Sequence, residues 1–157
     1  MQSLIAAVLL ILGQAQVPAA NGGAPPPFEI KLSTLTPVIA SGQKISIQIE
    51  LKNVSSQQID CSSMLEDTGL DTSFRYEVRD PDGKTMNIRP EEHADHVTGN
   101  VVFCTLQPGQ TMVRNVDSIA RVFDIRTPGT YGIKVSRPVQ GNPKSLITSN
   151  QVTVQVR

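Results

Sequence analysis

The sequence predicts an all-β protein folded as an antiparallel sandwich of about seven to eight strands, with one short helical turn near residues 118–124. Three observations indicate this class. Apolar and polar residues alternate over many short runs, turn-forming residues separate those runs at intervals of about ten positions, and no regularly spaced helical segments lie between them. Such a pattern is typical of two packed sheets, each with one face buried.

The segment Lys44–Asn53 is the clearest strand. Its sequence, KISIQIELKN, alternates aliphatic with polar residues, and the aliphatic set is Ile45, Ile47, Ile49 and Leu51. Successive side chains of an extended chain point to opposite faces, so these side chains would face the core and their polar neighbours would face water. We expect this strand to be central to the fold.

Further strands are predicted wherever the same period of two returns. They are Phe28–Ser33, Phe74–Arg79, Val101–Leu106, Gln110–Val116, Tyr131–Val135 and Gln151–Val156. The period changes in Asp117–Ile125, where apolar residues take the spacing of a helical face, which predicts one or two helical turns. The polar segments Ser62–Thr72, which could contain one helical turn, and Arg137–Ser145 are predicted to be turn-rich loops.

Asp80-Pro81-Asp82-Gly83 is a turn whose chemistry is visible in its residues. Proline presets φ at one position and glycine accepts a positive φ at another. The alternating carboxylates also suggest a pair of Ca²⁺ ligands, but the segment lacks the third ligand and the distal glutamate of an EF-hand loop. Turn formation is therefore the preferred interpretation, with Lys84–Ile88 returning as a hairpin partner.

The N-terminus has the features of a secretory leader. Leu4–Leu12 is an apolar run of signal-peptide length, and small residues precede candidate cleavage points after Ala15 and after Ala19. Because no basic residues precede the run, a membrane anchor or a buried apolar arm remains an alternative. We expect residues 1–15 to be a signal peptide, 16–27 a linker rich in proline, glycine and alanine, and 28–157 the folded domain of a secreted or periplasmic protein.

The composition argues against several classes of partner and activity. Lysine plus arginine and aspartate plus glutamate each number 14, so the formal net charge is zero, and the sequence has no basic stripe for nucleic acid or anionic lipid. Aromatic residues make up 4% of the chain, which disfavours a surface that stacks on carbohydrate or on single-stranded nucleic acid. The sequence also lacks a serine-hydrolase elbow and a glycine-rich phosphate loop, so we expect no enzyme activity and no cofactor.

Cys61 and Cys104 are the two cysteines of the chain. In an exported protein an even pair most often forms a disulfide, and a bridge here would tie distant parts of the chain together. The alternative is two separate buried thiols. A redox-active pair is disfavoured, because such pairs usually lie close together in a Cys-x-x-Cys motif.

The segment Glu91–His96 holds both histidines of the chain, His93 and His96, among three acidic residues. A helical turn would place the two imidazoles on one face, where they could bind Zn²⁺ or Cu²⁺ with carboxylates completing the shell. The competing interpretation is a solvated acidic loop within Arg89–Asn100, since the chain has no third histidine. His93 and His96 are the candidate metal ligands.

Six aromatic residues are predicted to lie in the core, because nearly all of them occupy inward positions of the alternating pattern. They are Phe28, Phe74, Tyr76, Phe103, Phe123 and Tyr131. Asn53-Val54-Ser55 forms an N-glycosylation sequon at the end of the central strand. What remains for binding is the loops and the edges of the first and last strands.

Several short motifs, taken in order, resemble those of a known family. They are Leu106-Gln107-Pro108-Gly109, Asn115-Val116-Asp117, Val122-Phe123-Asp124-Ile125 and Pro128-Gly129-Thr130-Tyr131, preceded by an Asp-x-Asp-Gly-Lys turn within Arg79–Lys84. This order resembles secreted bacterial Ig-like β-sandwich modules and is similar to the non-catalytic sandwich that precedes deuterolysin-type zinc peptidase domains. The resemblance implies an Ig-like sandwich over nearly all of residues 28–157, with the ring of Tyr131 in the core and its hydroxyl near the rim. It implies no catalytic residue, because the sequence contains no His-Glu-x-x-His motif.

We therefore expect an exported, non-catalytic Ig-like module that contacts another protein or a component of the cell envelope through loops or an edge strand. One alternative is a proteinase inhibitor on the same sandwich, with Arg89–Asn100 or Pro138–Lys144 entering a protease cleft. Another is a periplasmic metal-binding module that uses His93 and His96. We expect no nucleic-acid partner and no stable membrane span after the leader is cleaved.

Overall fold

The computed structural model of the protein describes residues 25–65, 69–89 and 100–157. The strands in these ranges are β1 (Phe28–Thr34), β2 (Val38–Ile39), β3 (Ile47–Asn53), β4 (Ile59–Asp60), β5 (Ser63–Leu65), β6 (Arg75–Arg79), β7 (Asn100–Val102), β8 (Thr105–Leu106), β9 (Thr111–Val116), β10 (Gly129–Val139), β11 (Asn142–Thr148) and β12 (Val152–Val156). One helix, α1, spans Ile119–Val122, where a helical turn was predicted. The described ranges hold no helix long and apolar enough to cross a membrane. The all-β prediction is confirmed, although short strands raise the number above the expected seven to eight.

The first sheet has the strand order β1-β3-β9, and both pairs are antiparallel. Its middle strand shows the predicted alternation, because Ile47, Ile49 and Leu51 are fully buried while the polar residues between them are partly or fully exposed. One face of the sheet therefore packs on the core and the other faces solvent. β3 covers residues 47–53 of the predicted strand Lys44–Asn53 and is the centre of its sheet, as predicted.

The second sheet is built around the long strand β10. β6 pairs with one edge of β10 and β12 with the other, and β2 adds to β12 in the single parallel pair among the described strands. β11 continues the line of β12 along the same edge, because Ser136 faces Thr148 and Ile133 faces Val152. β2 pairs with Gln155 and Val156, so this end of the last strand is not a sheet edge, and our expectation that the strand offers an edge for binding is wrong there.

The two sheets pack face to face through one apolar core. Its largest fully buried side chains come from both sheets, from α1 and from the segments beside them: Ile45, Ile47, Ile49, Leu51, Ile119, Phe123, Ile125, Tyr131 and Ile133. The hydroxyl of Tyr131, at the start of β10, donates a hydrogen bond of 2.9 Å to the carbonyl oxygen of Thr127. A tyrosine with this bond, at this corner, is a hallmark of Ig-like sandwiches.

A two-stranded ribbon follows β3 and precedes β9 in the chain, and it packs against the core. β4 pairs with β8 and β5 pairs with β7 with the same offset between facing residues, so the four short strands share one register. Ile59–Leu65 and Asn100–Leu106 therefore form a single antiparallel ribbon, which is called the ribbon below. Its inward residues Ile59 and Leu106 belong to the core.

Two segments that were predicted to be loops contain strands. Within Ser62–Thr72 the structure has β5, and the described residues of this segment hold no helical turn. Within Arg137–Ser145 it has the end of β10, a turn at Gln140-Gly141 and the start of β11. Proline is tolerated in a strand where its missing N–H would not have joined the ladder, so Pro138 does not end β10. Gly141, with a φ of 79°, closes the hairpin.

The turn at Asp80–Gly83 is confirmed. The N–H of Gly83 donates to the carbonyl oxygen of Asp80 at 2.9 Å, and Gly83 has a φ of 81°. One carboxylate oxygen of Asp80 accepts two backbone N–H groups within the turn, so turn formation accounts for this carboxylate. The chain then returns along β6, where the N–H of Met86 donates to the carbonyl oxygen of Val78 at 2.8 Å.

Candidate binding groove

A disulfide closes the ribbon where its strand pairing is interrupted. Cys61 and Cys104 face each other in the common register, and their side chains form the predicted bridge. The N–H of Cys61 donates to the carbonyl oxygen of Cys104 at 2.9 Å, and the Oγ of Ser62 accepts the N–H of Cys104 at 3.1 Å. A covalent bond and hydrogen bonds thus hold the two halves of the ribbon together at one point.

The outward face of the ribbon carries a cluster of apolar side chains. Met64 faces Val101 across the ribbon, and Phe103 lies next to them on the same face. All three side chains are exposed, that of Phe103 to 86%. The prediction that Phe103 lies in the core is wrong, because the alternation that turns Cys104 inward points residue 103 into solvent. The other five aromatic residues predicted for the core are buried or packed against it.

Arg137 is a charged residue at an inward position of β10. It follows Tyr131, Ile133 and Val135 in the alternation, so its side chain enters the interior, where it is 7% exposed. Burial lowers the pKa of this guanidinium from its ordinary value, and nearby carboxylates oppose that effect. The guanidinium carbon lies over the ring of Phe74, 5.3 Å from the ring centroid, in cation–π contact.

The hydrogen bonds of this guanidinium tie the ribbon to the second sheet. Arg137 donates to the carbonyl oxygen of Ser62 at 3.0 Å and to the Oγ of Ser73 at 2.9 Å. Longer contacts of 3.4 Å and 3.5 Å reach the carbonyl oxygen and the carboxylate of Asp60. Both carbonyl oxygens point away from the Asn100–Leu106 half of the ribbon, because the antiparallel ladder alternates. The guanidinium therefore takes the place that a further strand would have.

Asp71 extends the polar network to the first sheet. Its side chain is fully buried, and one carboxylate oxygen accepts a bond of 2.7 Å from Arg114 on β9. The other oxygen accepts the hydroxyl of Ser73 at 2.6 Å and the N–H of Met64 at 3.3 Å. Since the same hydroxyl accepts a bond from Arg137, polar contacts run without a break from β9 to β10. A buried network of this kind fixes the position of the ribbon relative to both sheets.

Tyr76 lies beside the network with its hydroxyl buried. Among the described residues, none makes a hydrogen bond of ordinary geometry to that oxygen. Burial, and then the carboxylate of Asp71, raise the pKa of Tyr76 well above its ordinary value. The backbone N–H of Asp71 and the guanidinium of Arg114 offset this only in part. The phenol is therefore neutral at physiological pH.

A groove of about 830 Å³ lies between the ribbon and the β10–β11 hairpin. Its apolar lining comes from both walls and from the start of β1, and consists of Pro27, Phe28, Ile59, Met64, Val101, Pro138, Val139 and Pro143. Arg75, at the start of β6, is an exposed cation in the lining, and its side chain forms no ion pair or hydrogen bond with any described residue. A concave site of this volume, whose lining combines apolar side chains with many polar ones, suits a small molecule or a short peptide segment.

The predicted metal ligands His93 and His96 lie outside the described residues, as does most of Arg89–Asn100. The metal hypothesis therefore stays a prediction. Within the described part of the chain, no group of three or more histidine, cysteine, aspartate or glutamate side chains is arranged to hold a metal ion.

The sequon at Asn53 lies on a buried side chain. Asn53 is fully buried, and its side-chain nitrogen donates to the carbonyl oxygens of Gln57 at 2.7 Å and Leu106 at 2.9 Å. Its side-chain oxygen accepts the N–H and the hydroxyl of Ser55. The amide thus joins the end of β3 to one half of the ribbon and to the segment that leads into the other half, and the folded protein has no room for a glycan there.

Sequence reasoning missed the three charged residues of the network, Asp71, Arg114 and Arg137. A signal existed for two of them, because Arg114 and Arg137 occupy inward positions of an alternating strand. For Arg137 this signal was hidden by the proline and glycine residues after Val135, which predicted a loop. Asp71 had no comparable signal, since it lies in a turn where polar residues are ordinary.

Comparison with known proteins finds only distant similarity. No protein-family model and no curated protein matches the chain. Among solved structures the chain is similar to a β-glucosidase from Listeria innocua, at 17% identity and a TM-score of 0.40, over 82% of this chain and 16% of that one. It is similar to the alkylpurine DNA glycosylase AlkC from Pseudomonas fluorescens at 14% identity and a TM-score of 0.42, over 83% and 30% of the two chains. It is also similar to a CARDB domain from Pyrococcus furiosus in complex with di-metal ions, at 10% identity and a TM-score of 0.36, over 83% and 87%.

These structural similarities are too weak to carry an argument about function, and the chain spans about one sixth of the length of the β-glucosidase. The strand order and the core therefore define the class: the protein is a β-sandwich module.

Proposed function

We propose that this protein is an exported, non-catalytic β-sandwich module that binds another protein, or a component of the cell envelope, through the groove between the ribbon and the hairpin. The observation that carries the proposal is the exposed apolar cluster on the ribbon, where Met64 and Val101 line the groove and Phe103 lies beside them on the same face. Soluble proteins rarely expose contiguous apolar side chains unless a partner covers them. The disulfide and the buried network hold the ribbon in place, which lowers the entropic cost of binding.

The disulfide and the N-terminus support the exported location. The bridge between Cys61 and Cys104 is compatible with a secreted or periplasmic protein, because such bonds persist outside the reducing cytosol. The predicted leader at residues 1–15 and the linker at 16–27 agree with that location. The resemblance to secreted Ig-like modules, and to the sandwich that precedes deuterolysin-type peptidase domains, supports it as well.

The groove suits an extended segment that carries an apolar side chain next to a carboxylate. The apolar side chain would pack on Met64 and Val101, and the carboxylate would pair with Arg75, whose guanidinium has no partner among the described residues. Arg137 does not serve this role, because its guanidinium is already engaged by the ribbon.

Selection of peptide ligands for the protein from a random display library, followed by calorimetry, tests the proposal. Met64→Ser and Arg75→Ala should each weaken binding of the selected peptides about tenfold or more, because each removes one of the two anchors that line the groove. Leu35→Ser and Arg79→Ala are matched controls, since Leu35 is another exposed apolar residue and Arg79 another arginine of β6. Failure to enrich any peptide, or equal losses in the control variants, would reject the groove as the binding site.

A proteinase-inhibitor function is the second candidate, and one observation favours it. The predicted inhibitory segment Pro138–Lys144 forms the tip of the β10–β11 hairpin, where Gln140 and Gly141 are exposed. A strand-flanked turn of this kind could enter a protease cleft. Residual activity of a protease panel after mixing decides the matter: stoichiometric inhibition supports this function, and full activity of every protease rejects it.

The metal-binding alternative rests on His93 and His96. Calorimetric titration with Zn²⁺ tests it against the variant His93→Ala. Heat that is seen with the wild type and lost in the variant would support a site there, and no heat with the wild type would dismiss it.

A further inference from the structure

The open strand edges of the sandwich differ in how well they are protected from pairing with another chain. On β1 the side-chain nitrogen of Asn150 donates to the carbonyl oxygen of Leu32 at 3.0 Å, and its side-chain oxygen accepts the N–H of the same residue at 2.8 Å. The amide occupies the place of a neighbouring strand. β11 carries Pro143 and Lys144, and both residue types discourage pairing at an edge.

β9 is the other edge of the first sheet. Along it, residues whose backbone N–H and C=O groups bond to β3 alternate with residues whose groups point away from β3. The N–H of Asn53 donates to the carbonyl oxygen of Gln110 at 2.9 Å, which sets the phase of the antiparallel ladder between β3 and β9. In that phase every second residue of β9 directs its N–H and C=O groups away from β3. These residues are Thr111, Val113 and Asn115. No described residue hydrogen-bonds their backbone groups on that side.

The exposed side of this edge is also uncharged. Val113 is 55% exposed and lies between two neutral polar residues on the outward face of the strand. Arg114 points inward to Asp71, so its charge does not repel an approaching strand. An open pocket of about 700 Å³ borders Asn115, so the described residues leave space beside that end of the strand. A neutral, exposed and unpaired edge is the kind at which β-sheets join.

We propose that two copies of this protein associate by antiparallel pairing of their β9 strands about a two-fold axis at Val113. Residues that face each other across such an axis must both direct their backbone groups outward. Symmetry about Val113 meets this condition, because it places Val113 opposite its own copy and Thr111 opposite Asn115 of the second copy. Each facing pair exchanges two hydrogen bonds, and the first sheets of the two copies become one continuous sheet.

The side chains are self-complementary in this register. Two exposed valines meet at the axis, a threonine meets an asparagine on either side, and Met112 faces Arg114 of the second copy, so no like charges oppose each other. A two-fold axis at Thr111 or at Asn115 would leave part of the unpaired edge of β9 without a partner strand. The groove, which is lined by the ribbon and the hairpin, stays open in the dimer, so this inference does not depend on the proposed function.

Cysteine crosslinking tests the register. In the dimer, Val113→Cys places two thiols opposite each other with Cα atoms about 5.5 Å apart, a separation that a disulfide spans. This variant should form a covalent dimer under mild oxidation on a non-reducing gel. Asn115→Cys is the matched control on the same strand and face, because its two copies lie roughly 14 Å apart along the strands. Crosslinking of both variants alike, or of neither, would overturn the proposal.

Sedimentation velocity gives a second readout that needs no oxidant. The wild type should form a dimer with rising concentration, and Val113→Lys should weaken dimerisation about tenfold or more, because it places two like charges at the axis. Val101→Lys makes the same substitution at an exposed valine of the ribbon and should leave the dimer intact. A wild type that stays monomeric, or a dimer that Val113→Lys does not weaken, would contradict the proposed interface.

Discussion

Replacing Arg137 with methionine removes the guanidinium and keeps a side chain of similar length. The change leaves the outward carbonyl oxygens of Asp60 and Ser62 without their donor. A buried polar group that loses its partner costs about 1–3 kcal/mol. The carboxylate of Asp60 adds little, because that side chain is 40% exposed and water screens its attraction to the guanidinium. The free energy of unfolding should therefore fall by about 3 kcal/mol.

Equilibrium unfolding in guanidinium chloride measures this loss, and amide hydrogen exchange locates it. The amides of Ile59–Leu65 should lose more protection in Arg137→Met than those of β3, because the guanidinium holds the ribbon to β10. Arg79→Met, at an exposed arginine of β6, is the matched control and should change stability by less than about 0.5 kcal/mol. A loss below about 1 kcal/mol for Arg137→Met, with unchanged exchange in the ribbon, would refute its role as the anchor.

Three further predictions concern the bridge, the buried phenol and the covered edge. Replacing both Cys61 and Cys104 with alanine should lower the stability by about 2–4 kcal/mol in thermal unfolding, since the bridge joins residues 43 positions apart. Thiols that can be alkylated in unreduced, unfolded wild type would contradict the bridge. Tyr76→Phe should leave stability at neutral pH unchanged and reduce its decline above about pH 10, where the unfolded chain releases the phenol proton and the folded protein keeps it. If the wild type and Tyr76→Phe lose stability equally above about pH 10, the raised pKa of Tyr76 is contradicted. Asn150→Ala should cost about 1 kcal/mol in denaturant unfolding, because it uncovers both backbone groups of Leu32. An unchanged midpoint would mean that water replaces the amide at no cost.

The strands of the sandwich were predictable because a period of two is a local property of the sequence. β3, β12 and the first half of β10 each bury every second residue, as their apolar alternation indicates. The turn at Asp80–Gly83 and the pairing of the two cysteines were predictable for a similar reason, since the residue types alone carry the chemistry.

The candidate groove was not predictable, because its walls depend on contacts between distant segments. Phe103 looks like a core residue until the ribbon determines which of its faces meets the sandwich. Pro138 and Gly141 are as typical of a loop as they are of a hairpin. The protection of β1 depends on a contact between Leu32 and Asn150, which are 118 positions apart. Local patterns do not report such contacts.

The central claim is that the ribbon packs on the sandwich as a fixed wall of the groove. Hydrogen exchange of the Cys61 amide tests it most directly, because that N–H donates to the carbonyl oxygen of Cys104 between the two halves of the ribbon. In the oxidised protein this amide should exchange as slowly as that of Ile49, in the middle of β3. Exchange as fast as that of an exposed loop would contradict the claim, because the ribbon would then open independently of the sandwich.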